Sequence, residues 1–241
     1  MSQDERDPQG QINRHGDPRG QPDVGPESAA HLEKLTEHVE RHVGPVETVL
    51  HEVASDYVHI DLLWAPPNER HPFHTFVTSG MSDRPMNVEP GLEEFRLAEL
   101  FICLPPSWPI SPEAFQDERN WWPLRLVKTL ARLPHVYETW LGPYHSSPNG
   151  DPAEPYAPGT KLCGSMLFGP IALPMELAAI TVDEDTTINL YSVLPLHDDE
   201  MGFKLREGGE ALIEKMSTID NFNEVVNPKR ASCVRKKWKF W

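Results

Sequence analysis

The sequence predicts one α+β domain whose sheet is antiparallel or mixed, with helices packed on it. Three observations carry that prediction. A helix-period segment is followed at once by four strand-like runs within residues 28–104, an order that builds a sheet early in the chain. A second helical segment in the middle leads to two or three further strand runs and a third helical stretch. No composition break divides residues 28–227 into two units, and 241 residues suit one sizeable domain.

Leu32, Leu35, Val39 and Val43 recur at three- and four-residue spacing and share one helical face. With Ser28 as N-cap and Gly44-Pro45 as the stop, the helix is predicted over about 29–43. "VETVLHEV" (46–53) is rich in β-branched residues, and "YVHIDLLW" (57–64) alternates, with Val58, Ile60, Leu62 and Trp64 on one face. "FHTFVTS" (73–79) places Phe73, Thr75 and Val77 together, and "FRLAELFICL" (95–104) is a longer strand broken by Pro105-Pro106. "WPLRLVKTLARLP" (122–134) carries Leu126, Leu130 and Leu133 on one helical face. Pro123 is placed in its first turn, where a missing N–H costs little, and Pro134 at its close. The segment 141–159, dense in Pro, Gly, Asn and Asp, reads as a long loop bracketed by Trp140 and Tyr156. Strands are predicted at about 162–168, 177–182 and 188–194. A helical stretch over 198–216 follows, with Asp198, Asp199 and Glu200 in its first turn and Gly208-Gly209 as a kink or split.

The ends differ from the body. Residues 1–27 are almost all polar, Gly and Pro, too poor in apolar surface to offset their ordering entropy, so disorder is expected there. Residues 229–241 hold six Lys or Arg and no acid and finish in "KKWKFW". That end reads as a clamp on the acidic body or as an exposed recruiting peptide.

The net charge of −15 repels phosphate backbones, so nucleic acid is not expected as a partner and a basic protein is. Cys103, Cys163 and Cys233 form no CxxC pair, which argues against a disulfide framework and a zinc ribbon and suits a reducing cytoplasm. No apolar run approaches the roughly 18–20 residues of a membrane span, and the first residues do not read as a signal peptide. A cytoplasmic location is expected.

The stretch "TFVTSGMSDRPM" (75–86) carries Gly80, Ser82, Asp83 and Arg84 close behind His71 and His74. No G-x-S-x-G elbow exists, and Ser and Asp after a strand more often take up backbone N–H groups in a turn. His71 and His74 point to opposite faces of a strand, and "HDDE" (197–200) is explained by acids at a helix start. No metal site or cofactor motif is expected. A hydrolase or transferase using Ser82, Asp83 and His145 is the rival from another class, and a regulatory scaffold with a recruiting tail is a third reading.

Long strings of this chain resemble one known family. "IDLLWAPPNERHPFHTFVTSGMSDRPMNV", "NWWPLRLVKTLARLPHVYETWLGPYHSSPNGDPAEPYAPGTKLCGSMLFGP", "YSVLPLHDDEMGFKLREGGEALIEKM" and "VVNPKRAS" are similar to bacterial members of the Suppressor of fused domain family, in order from about Thr36 to Val234. The resemblance implies a mixed, largely antiparallel sheet packed with helices over 28–234, with 235–241 as a basic-aromatic tail. It implies a binding protein, not an enzyme. Animal members clasp an extended peptide of Hedgehog-pathway transcription factors by strand addition. They carry a second, C-terminal domain with no counterpart in this sequence, so Hedgehog signalling is not expected of it. Bacterial members are linked to polymorphic toxin systems, where they look like immunity proteins. On that basis the partner is a basic toxin domain or an extended peptide. The strands 95–104 and 188–194, the latter with Tyr191, are the expected edges. Glu94, Glu99, Asp198, Asp199 and Glu200 are expected as an acidic rim, and the turn Ser82, Asp83 and Arg84 as part of the surface.

Overall fold

Alternation of apolar residues on both faces of successive strands builds the centre of the molecule. The computed structural model describes residues 31–52 and 58–234. The Ser28 cap, the disorder expected of 1–27, Val53 and the tail at 235–241 lie outside the described residues. Strands β1 (Thr48–Leu50), β2 (Asp61–Ala65), β3 (His74–Ser79) and β4 (Ala98–Leu104) follow helix α1 (Leu32–His42). Helix α2 (Glu118–Tyr137) leads to β5 (Ser146–Pro148), β6 (Leu162–Phe168), β7 (Ala179–Thr181) and β8 (Thr187–His197). Helices α3 (Asp198–Glu207) and α4 (Gly209–Ser217) close the order. The strands form one sheet in the order β1-β2-β3-β4-β8-β6-β5, with β7 also on β8. Every pairing is antiparallel except β4 with β8.

Both faces are covered. Ile60, Leu62, Phe76, Leu100, Ile102 and Val193 pack under α2, whose Trp122, Val127 and Leu130 meet them. Leu63, Val77, Phe101 and Leu190 face the other way, toward Leu35 and Val39 of α1. Further along that second face, Met166, Leu194 and Leu196 meet Met201, Leu212 and Met216 of α3 and α4. The predicted face of Val58, Ile60, Leu62 and Trp64 therefore exists, but the opposite face is buried too.

Several boundaries differ from expectation for local reasons. The first strand is short because side chains replace its ladder. The N–H of Glu52 donates to Asp61 Oδ1 (2.9 Å), and the N–H of Ile60 donates to Glu52 Oε2 (3.3 Å). Helix α2 starts earlier than predicted because Asp117 caps it, accepting from the N–H of Arg119 at 2.9 Å. Pro123 and Pro134 thus both lie inside the helix, and Pro134 does not close it. A proline removes a donor, yet its carbonyl still accepts. The N–H of Thr139 bonds Pro134 O at 2.9 Å, after Glu138 has turned left-handed at φ 52°. The long loop carries β5, the last strand of the sheet. A 3₁₀ turn (Met175–Ala178) takes the first part of the strand predicted at 177–182. Gly208 divides α3 from α4, as its Gly-Gly sequence suggested.

Candidate functional site

The turn after β3 is built around a buried acid. Gly80 stands at φ 121°, and a Cβ there would lie 2.1 Å from His59 O, so only glycine fits. Glu99, fully buried, reaches beneath the turn. Its Oε1 accepts from the N–H groups of Gly80 (3.0 Å) and Ser82 (2.9 Å) and from the Ser82 hydroxyl (2.7 Å), and its Oε2 from Thr78 Oγ1 (2.6 Å). Burial pushes the Glu99 carboxyl up to about 7, against the pull of those donors. From α2, His135 Nε2 donates to Met81 O at 2.9 Å. Burial lowers the pKa of that imidazole.

This geometry corrects two expectations. Glu99 is not part of an acidic rim, because it is the inner post of the turn. The rival catalytic set is not assembled either. Ser82 is buried with its hydroxyl committed to Glu99, the histidine at the turn is His135, and His145 packs on Trp140 with ring centroids 4.3 Å apart. Asp83 is half-buried and Arg84 exposed at the outer side of the turn.

The remaining predicted residues fall into two groups. Exposed Glu94 lies near Tyr191, and burial together with the Glu94 charge pushes the Tyr191 phenol far above its ordinary value. Tyr191 is itself buried in the core beneath α2, and its hydroxyl has no hydrogen-bond partner among the described residues. Asp198, Asp199 and Glu200 do open α3, but only Asp198 is exposed and Asp199 is half-buried. Glu200 is fully buried. It accepts from Arg230 Nη1 (2.6 Å) and Nη2 (2.5 Å), from the N–H of His197 (2.8 Å) and from the N–H of Cys233 (2.9 Å). Burial opposes its ionisation, but Arg230 and the two N–H groups outweigh that and hold the carboxyl below its usual range. Glu200 is a structural anchor and not a rim residue.

Neither expected edge strand is an edge. β4 lies between β3 and β8, and β8 lies between β4 and β6. Their mutual ladder covers only Ala98–Phe101 against Asn189–Ser192. Beyond it β8 pairs with β6 and contains Pro195, which has no N–H to give. The chain's own C-terminal segment enters the split. Val225 bridges Cys103, the N–H of Val226 donates to Cys103 O (2.8 Å), and Arg230 Nη2 donates to Pro195 O (2.8 Å). Buried Glu224 fixes that segment by accepting from the N–H groups of Ile171, Ala172 and Leu173 at 2.7–3.2 Å. No periodicity in 219–227 announced this insertion.

The sheet ends at β5. Ser147 is the residue hydrogen-bonded to β6 in the Ser147–Ser165 pairing, as the Asn149 N–H to Cys163 O bond two residues on requires. Ser146 therefore turns its N–H and C=O outward, and no bond among the described residues meets them. Just before β5 the chain bulges. Tyr144 and His145 both face Leu167, with the Tyr144 N–H on Leu167 O (2.8 Å), the Leu167 N–H on His145 O (2.9 Å) and Tyr144 at φ 63°.

Comparison with known proteins agrees with this architecture. No curated protein matches the chain in sequence. A protein described as a Suppressor of fused homologue from Neisseria gonorrhoeae FA 1090 superposes with a TM-score of 0.61 at 15% identity, over 85% of this chain and 97% of that one. A chain of a Sufu-Fu complex superposes with a TM-score of 0.59 at 15% identity, over 86% of this chain and 93% of that one. The family model for the Suppressor of fused protein matches residues 56–231, and the chain belongs to that family.

Proposed function

We propose that this chain is a non-enzymatic protein-binding domain that takes an extended segment of its partner along the outer edge of β5, and that it serves as an immunity protein neutralising a toxin domain. The observation that carries the reading is the terminal position of β5, with the outward N–H and C=O of Ser146 unmet among the described residues. Exposed strand edges are templates for a further strand, and main-chain pairing supplies the affinity. The Sufu-Fu complex supports a protein as the ligand class. The net charge of −15 favours encounter with a basic toxin domain. The non-enzymatic reading is supported by the engagement of Ser82 with Glu99 and the separate packing of His145 on Trp140.

The test is co-expression with a toxin module from an adjacent gene, which this reading requires. Rescue of growth and co-purification of a complex are expected, with both lost in Ser146→Pro, which removes the outward N–H while leaving the ladder to β6 intact. A chain that neither rescues growth nor retains any protein partner overturns the proposal.

A further inference from the structure

Lys204 lies on the sheet-facing side of α3 with only 4% of its surface exposed, and no hydrogen bond or ion pair reaches its ammonium among the described residues. Its natural counter-charge is Glu200, one helical turn earlier, in the order that ordinarily stabilises a Glu–Lys pair. That carboxylate is instead held by Arg230 and the N–H groups of His197 and Cys233. Burial alone lowers the pKa of Lys204, and no acid among the described residues acts to restore it. Buried Lys128 and half-buried Arg230 each face a carboxylate, Glu52 and Glu200. Lys204 faces none among the described residues.

Its surroundings border β5. The Lys204 charge acts on His145, the residue preceding β5, whose imidazole is held below its ordinary pKa first by burial and then by that charge. His145 sits in the bulge created by the left-handed Tyr144, a conformation an L-residue adopts only at a cost. Tyr144 in turn packs so tightly on Gly209 that a Cβ there would lie 2.5 Å from its ring. The faces agree as well. Ser146 pairs with Met166, and Met166 belongs to the cluster beneath α3 and α4. Side chains on that face of β5, and on any strand added beyond it, point to the α3 side.

We propose that Lys204 reads a carboxylate on the partner: the extended segment that pairs with β5 places an Asp or Glu side chain, at the residue opposite Ser146, against the Lys204 ammonium. This rests on the strand-addition reading above and gives it a sequence requirement. A largely buried cation with no counter-ion among the described residues is supplied with one on binding, so a segment lacking the acid leaves the charge uncompensated. The net negative charge of the domain works over long range on the partner as a whole, and Lys204 works at one position of one segment.

The experiment selects ten-residue peptides from a displayed random library on the full chain and on three variants. The wild type is expected to enrich peptides with Asp or Glu at one fixed position between alternating β-branched or aromatic residues. Lys204→Met, which keeps the apolar stem, is expected to bind those peptides about tenfold or more weakly and to lose the acid preference. Lys204→Glu is expected to select Lys or Arg at the same position. Ser146→Pro is expected to lose the peptides altogether. Thermal unfolding checks each variant, and Lys204→Met is expected to melt no lower than the wild type, since it removes an unpaired buried charge. If Ser146→Pro abolishes binding while Lys204→Met keeps both affinity and acid preference, the Lys204 assignment is overturned and strand addition stands. If the selected peptides bind Ser146→Pro as well as the wild type, or the wild type enriches nothing, both are overturned.

Discussion

Glu99 shows what a single residue does here and why its role was hard to read. In "FRLAELFICL" it is the one acid in an apolar run, and a one-faced strand would have put it at the rim. Both faces of β4 are buried, so the acid has nowhere to go but inward, and it survives there because the turn offers three donors and Thr78 of β3 a fourth. The turn itself was legible, since Gly80 at φ 121° followed by Ser82 is what a strand end of this composition requires. Its buried post was not, because the contact spans 17 residues. A pH dependence follows. The folded pKa of about 7 lies above the ordinary 4.5, so the folded state binds the proton more tightly. This contribution is full below about 4.5 and is lost as the pH rises through about 7, a difference of roughly 3 kcal/mol. Urea unfolding between pH 5 and 8 is expected to show stability falling with pH in the wild type and a flatter profile in Glu99→Gln. Equal slopes in the two proteins would remove Glu99 as the cause.

At the level of elements, the helices and most strands were readable from periodicity, because α1, α2 and β2–β4 each bury a regular face. What periodicity did not reveal was strand order. The parallel step from β4 to β8 pairs residues 91 positions apart, such as Ala98 with Asn189, and nothing local encodes it. The split beyond that step is why the C-terminal segment is structural as far as Val234: it enters between β4 and β8 and is pinned by Arg230 to Glu200. Arg230→Met strands a fully buried carboxylate and is expected to destabilise the protein by about 3–5 kcal/mol in chemical denaturation. A loss below about 1 kcal/mol would mean that the segment is dispensable. The joint between α3 and α4 offers a second check. Gly209→Ala presses on Tyr144 and is expected to cost about 1–3 kcal/mol. Because Tyr144 shapes the bulge before β5, the same variant is expected to weaken peptide capture by more than its stability loss explains.

For the whole molecule, the charge balance and the position of the sheet edge act on different stages of binding. The bulk acidity was plain from composition, whereas the free edge at β5 was concealed in a segment whose Pro, Gly and Asn content reads as loop. At −15 net charge the domain attracts a basic partner before any contact forms, and that attraction is screened within about 8 Å at physiological ionic strength. In the proposed complex, pairing along β5 and the contact at Lys204 act only after the partners meet, at short range where salt screens little. Salt and edge mutations should therefore separate kinetically. Raising sodium chloride from about 50 to 500 mM is expected to slow association by about tenfold or more while changing dissociation little. Lys204→Met is expected to speed dissociation with the association rate nearly unchanged. Stopped-flow or surface-based kinetics with the proposed partner, or with a selected peptide, measures both. Dissociation that accelerates with salt as strongly as association slows would place the dominant contacts on the exposed acidic surface instead of at the β5 edge.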